Sequence, residues 1–135
     1  MADRAKIADL WAGYGAANDL HDGELMESCF TEDASFTIHI AGADSVGPLQ
    51  PREKVLEFIT GAVSAQTDQR RHVLTNFRYF DDEEPRARVG AYLSLVVTDN
   101  GQTVTKSAGV YDAEVVLTDG QWRFRSMVLS LDSPF

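Results

Sequence analysis

The sequence predicts an α+β fold: a cone in which a curved antiparallel sheet, covered by N-terminal helices, surrounds an apolar pocket. Helical periodicity is confined to the first half of the chain, whereas the second half reads as long β-rich segments joined by short polar turns. At 135 residues, with 44% hydrophobic and 24% charged, the chain has the size and balance of one globular domain, expected over residues 1–135. Folding at this length buries roughly 65 to 70% of the unfolded surface, enough for a core without covalent staples.

From Asp3 to Asn18 the apolar residues Ile7, Leu10, Trp11, Tyr14 and Ala17 recur at three- and four-residue steps, the stripe of an amphipathic helix. Asp22 is placed to cap a short second helix over Gly23 to Phe30. Ala34 to Ile40 then alternates Phe36, Ile38 and Ile40 with Ser35, Thr37 and His39, the period-two pattern of a strand. A turn-rich stretch from Ala41 to Gln50 follows. Pro51 opens a third helix in the first-turn position that proline tolerates, with Val55, Leu56, Ile59 and Val63 as its buried stripe. The helical signal stops after Ala65. Four strands are expected over Arg70 to Phe80, Arg86 to Thr98, Thr103 to Leu117 and Trp122 to Leu131, joined by short connections such as Asp99-Asn100-Gly101-Gln102, so three successive hairpins form a meander.

Charge and motifs exclude several functions. Twelve Lys and Arg against 21 Asp and Glu leave a net charge of −9, the wrong sign for tracking nucleic-acid phosphates or anionic lipid, so neither partner is expected. Cys29 is the single cysteine, which rules out an internal disulfide and multi-cysteine zinc sites. The first fifteen residues interleave charges with apolar residues and no apolar run has transmembrane length, so a cytoplasmic location is expected. There is no P-loop, no GxGxxG after a strand, no GxSxG and no HExxH. Metal ligands do not cluster, and no cofactor or metal is expected; cofactor-free acid/base chemistry or plain ligand binding survives.

Asp19 follows the stripe of the first helix, and His72 begins a strand with Leu74 and Asn76 on its face. If the helix packs over the sheet the two meet, and a carboxylate bonded to one imidazole nitrogen leaves the other free to take a proton. The bland alternative is a turn-capping aspartate and an ordinary strand histidine. Tyr14 lies about 7.5 Å from Asp19 along the axis and roughly 140° round it, so both reach one pocket only if the helix ends or bends near Asn18. It is either a core tyrosine or a donor to a substrate oxygen. Tyr92, Ser107 and Tyr111 occupy strand positions whose facing period two does not settle without the register. Phe36, Asn76 and Tyr92 are expected to contact substrate, while His21 reads as a turn residue and His39 as pointing away from Phe36 and Ile38.

The segments IADLWAGYGAANDLHDGELMESCFTEDASF, RRHVLTN and GVYDAEVVLTDGQWRF, with the helix after GPLQP, resemble the SnoaL-like branch of the nuclear transport factor 2-like superfamily over nearly the whole chain. Within it, Tyr-x4-Asp on the first helix plus a strand histidine is similar to scytalone dehydratase, bile acid 7α-dehydratase and the dehydrochlorinase LinA. That resemblance implies a cone with a deep apolar pocket and cofactor-free elimination, with His72 as base, Asp19 as its partner and Tyr14 in the place of the dehydratases' tyrosine. LinA's last-strand arginine corresponds to Met127, which joins the expected substrate-contacting residues without an anion role. The Arg-x-Asp arrangement of limonene epoxide hydrolases is missing. The expectation is a dehydratase-type lyase acting on a small, cyclic, mainly apolar substrate. An isomerase or cyclase of polyketide- or steroid-like rings and a noncatalytic ligand-binding protein are the alternatives. Apolar residues of both parities on the long strands, and the resemblance itself, predict a homodimer.

Overall fold

The computed structural model describes residues 1–134. Three helices, α1 (Arg4–Leu20), α2 (Gly23–Ser28) and α3 (Arg52–Ser64), accompany six strands: β1 (Phe30–Ile40), β2 (Val46–Leu49), β3 (Gln69–Asp82), β4 (Arg86–Asp99), β5 (Gln102–Thr118) and β6 (Gln121–Leu131). The strands form one curved, unclosed sheet in the order β2-β1-β6-β5-β4-β3. β3 to β6 make the expected antiparallel meander, and β1 joins it parallel to β6.

Local chemistry sets the ends of the helices. The Asp3 side chain accepts from Lys6 N–H to start α1, and His21 closes it in the left-handed conformation, φ 56°. Asp22 caps α2 through Leu25 N–H as expected, but α2 stops at Ser28 because Phe30 already pairs with Phe124. Pro51 is the N-cap of α3 rather than its first turn. The stretch read as turns contains the short β2, which pairs with β1 at Phe36 and Ile38.

α1 lies over the concave face, where Trp11 is fully buried with its ring centroid 4.7 Å from Phe124 and 5.4 Å from Tyr111. One cluster of buried side chains joins α1, α2 and α3 to β1, β4, β5 and β6. Bulges re-aim the long strands. β6 gains an extra residue at Arg125, since Phe124 opposes Val115 and Ser126 opposes Glu114. Trp122, Phe124, Met127, Leu129 and Leu131 are therefore all buried together. Apolar residues of both parities on β6 thus reach one face, where strict alternation would set them on opposite faces.

Candidate active site

α1 packs closely against β3 at Gly15. A Cβ there would stand 3.3 Å from the His72 carbonyl oxygen and 3.4 Å from Leu74 Cδ1, so the missing side chain lets the helix settle onto the strand. One turn further on, the Asp19 carboxylate meets His72. Its Oδ1 is 2.7 Å from His72 Nδ1, and the backbone N–H of His72 donates to Oδ1 at 3.0 Å and Oδ2 at 3.1 Å. β3 is an edge strand, so this amide has no strand to bond on its outer side and the carboxylate satisfies it. The two side chains are only 14% and 12% exposed. A carboxylate is acceptor-only, so Nδ1 carries the proton and the neutral ring keeps its lone pair on Nε2.

His72 stands in the wall of a cavity between α1, α3 and the concave sheet. The cavity has a volume of about 70 Å³. Apolar walls come from Phe36, Ile38, Phe58, Leu93, Leu95 and Leu129, and polar groups from Tyr14, Asn18, Gln66, Arg70, His72 and Tyr111. Asp19 stays behind the histidine, so α1 need not bend: Tyr14 reaches the cavity directly, and the carboxylate reaches it through the imidazole. A roomier cleft of about 230 Å³ runs along Lys6, Asp9, Gly13 and Trp122, away from the His72–Asp19 pair, and its Cys29 thiol donates to the Leu25 carbonyl at 3.3 Å.

The hydroxyls of Tyr14 and Tyr111 lie 3.1 Å apart. One donates to the other, leaving the acceptor's own proton for a ligand oxygen. Burial pushes the Tyr14 phenol up to about 12, against lowering by the Tyr111 bond, and holds Tyr111 well above 10.0. Both remain neutral donors through the physiological range.

Four of the seven predicted site residues, Tyr14, Asp19, His72 and Phe36, meet at this cavity or directly behind it. Asn76 does not. It takes φ 54° at a bulge in β3, which breaks the parity that would carry it to the His72 face, and it is exposed. Tyr92 opposes Thr75 and is 53% exposed on the outer face. Met127 is 1% exposed within the core and outside the cavity lining. Sequence reasoning left Tyr111 undecided between faces and passed over Asn18, Gln66 and Arg70. For Arg70 a signal was present, because period two puts residue 70 on the face of residue 72. His39 is exposed and bonds Ser45 Oγ at 3.0 Å, away from the cavity. Among the described residues no cluster of three or more His, Cys, Asp or Glu is placed to hold a metal ion, and no helix is long and apolar enough to cross a membrane.

An open, curved sheet with helices packed over it thus holds a histidine–carboxylate pair at a largely apolar cavity. The chain belongs to the SnoaL-like domain family, whose pattern matches residues 1–128. Among solved structures, a candidate aromatic ring hydroxylase from Novosphingobium aromaticivorans is 28% identical, with a TM-score of 0.77 and coverage of 98% of this chain and 90% of that one. An NTF2-like protein with a cystatin-like fold from the same organism is 20% identical, TM-score 0.81, covering 98% and 84%. Hexachlorocyclohexane dehydrochlorinase LinA-type3 from Novosphingobium barchaimii is 21% identical, TM-score 0.74, covering 96% and 86%. The last two likenesses are of fold. No curated protein matches the sequence.

Proposed function

We propose that the protein is a cofactor-independent lyase that eliminates water from a small, cyclic, mainly apolar substrate, working as a single SnoaL-like domain. The observation that carries this reading is the 2.7 Å bond between Asp19 Oδ1 and His72 Nδ1 in the wall of an apolar cavity. Nε2 takes a proton from a carbon next to a carbonyl, and the C–H electron pair becomes the new double bond as the C–O bond to the leaving hydroxyl breaks. Asp19 stabilises the imidazolium, and the Tyr14–Tyr111 pair donates to the oxygen that gains charge. The proton on Nε2 then passes to the departing hydroxyl, which leaves as water. The apolar walls exclude solvent that would compete for these donors.

The LinA relative, an enzyme of hexachlorocyclohexane dehydrochlorination by name, supports elimination on this fold. Isomerisation uses the same base but returns the proton to the substrate, and a noncatalytic binder leaves the ligand unchanged. Mass spectrometry on a panel of cyclic β-hydroxy ketones separates the three. Elimination removes the mass of one water with wild type and not with His72→Gln; an unchanged mass with rearranged connectivity supports an isomerase, and recovery of every compound intact counts against catalysis. EDTA dialysis is expected to leave the rate intact.

The working unit under this reading is a homodimer joined through the outer sheet face, where Tyr92 and Val110 are 53% and 43% exposed. Sedimentation as a monomer at micromolar concentration refutes it. The expected compartment is the cytoplasm, to which the lone, buried thiol of Cys29 is suited; cell fractionation tests this.

A further inference from the structure

His72 shares its cavity wall with a buried amide that the elimination chemistry leaves unused. Asn18 is 9% exposed, stands one residue before Asp19 on α1 and lines the cavity. Its Nδ2 donates to the Tyr14 carbonyl at 3.1 Å. That bond decides which end of the amide is free, because turning the side chain over would set two acceptor oxygens against each other. Burial raises the Tyr14 phenol, and the Tyr111 bond and then the Asn18 amide lower it, so the N–H side of the amide is turned toward that hydroxyl as well. Oδ1 is the end left over, and among the described residues nothing donates to it. Two side-chain atoms are orphaned inside packed protein, Trp11 Nε1 and Arg123 Nε. Asn18 Oδ1 is not one of them, since it keeps accessible surface where its residue lines the cavity. An acceptor this deep is costly to leave unpaired, so an occupant that brings a donor is favoured over one that does not. The wall thus offers acceptors at Asn18 Oδ1 and His72 Nε2 and a donor at the tyrosine pair.

We propose that Asn18 is a substrate-binding residue that selects a ring hydroxyl, its Oδ1 accepting the hydrogen of a hydroxyl that the ring keeps through the reaction. This deepens the elimination reading and rests on it for the word substrate. An acceptor bound to the departing hydroxyl would oppose its protonation, so the departing group is the one that faces His72. The substrate class narrows to cyclic ketones that carry, besides the leaving hydroxyl, a second hydroxyl near the oxygen held by Tyr14 and Tyr111. Held both there and at Asn18, the ring has its reacting carbon kept toward His72 rather than free to turn between apolar walls. A ring of the same shape without the donor keeps the apolar contacts and leaves Oδ1 unpaired, which is how a polar site rejects an analogue.

The test uses cyclohexanol and cyclohexanone, rings of one size whose oxygens both accept from the tyrosine pair but of which only the alcohol donates. Binding is measured by NMR titration on wild type, Asn18→Leu and His72→Phe. Wild type is expected to bind the alcohol about tenfold more tightly than the ketone, the scale of one buried hydrogen bond. Asn18→Leu removes the preference, and His72→Phe retains it. Equal binding of the two probes by wild type, or failure of wild type to bind cyclohexanol at millimolar concentration, overturns the proposal, and neither result depends on how a variant folds. A preference that survives in folded Asn18→Leu also overturns it, as does one lost in folded His72→Phe, which would assign the hydroxyl to Nε2. Alcohol preference without His72-dependent turnover would sink the elimination reading and leave Asn18 as a hydroxyl site; turnover without the preference would do the reverse.

Discussion

Replacing Asp19 with asparagine keeps the shape of the side chain and removes the one property that makes it a partner for His72. The carboxylate accepts from His72 Nδ1 at 2.7 Å and from His72 N–H at 3.0 and 3.1 Å. Asparagine has one acceptor oxygen for these donors. If that oxygen stays on the backbone amide, its NH2 group faces Nδ1, which then becomes an acceptor and moves the ring proton to Nε2, where the base lone pair should be. The loss of one part-buried charge-assisted bond costs about 2 kcal/mol. For a chain of this length that is about 7 °C in Tm, with unfolding entropy of roughly 0.28 kcal/mol per kelvin. The rate loss is larger, because the wrong tautomer forfeits general-base catalysis, about 100- to 10,000-fold in kcat/KM. Both are measured on the same preparation, by scanning calorimetry and by turnover well below the new Tm. A folded Asp19→Asn enzyme within about threefold of wild type refutes the reasoning, as does a rate loss that only tracks the unfolded fraction.

Tyr14→Phe removes one of two bonded phenols, and kcat/KM is expected to fall by about 10- to 1,000-fold, the range for one positioned donor; an unchanged rate returns Tyr14 to the core. The same variant tests alkaline stability. With the phenol raised from 10.0 to about 12 in the folded chain, its stabilising contribution is complete below pH 10 and is lost as pH rises toward 12, so wild type weakens over that window and Tyr14→Phe weakens less. Gly15→Ala gains about 0.9 kcal/mol of helix propensity but sets a Cβ 3.3 Å from the His72 carbonyl oxygen; a lower Tm together with a lower kcat/KM is expected, and a more stable, fully active variant argues against the close approach. Burial pushes the Cys29 thiol up to about 11, so at pH 8 roughly one molecule in a thousand carries the thiolate, and an aromatic disulfide reagent should react with it only on the timescale of unfolding; prompt stoichiometric labelling contradicts the burial.

The helices and the meander were legible because each rests on a period that survives along its whole length. Tyr14, Asp19 and His72 stood out as polar groups at positions the apolar pattern marks for burial. What the pattern could not carry was register. One αL residue at Asn76 ends the alternation that starts at His72, and one extra residue at Arg125 brings both parities of β6 to the same face. Tyr92 and Tyr111 are equally plausible from sequence; pairing places Tyr92 opposite Val110 and Tyr111 opposite Ala91, so the first faces out and the second faces in. β2 was hidden because four residues containing a glycine and a proline, Val46–Leu49, carry no readable alternation. The family resemblance matched Met127 to a pocket position, yet that side chain lies in the core beside the cavity's floor strands, opposite Ala113.

The account stands on a neutral His72 whose proton is held at Nδ1 by Asp19, with Nε2 left as the base. The chain has three histidines, so two-bond 15N–1H correlation spectra of wild type, assigned by His21→Gln and His39→Gln, read the tautomer directly. The account predicts the Nδ1–H form for neutral His72 and its loss in Asp19→Asn. A neutral His72 protonated at Nε2 in the wild-type protein would contradict it.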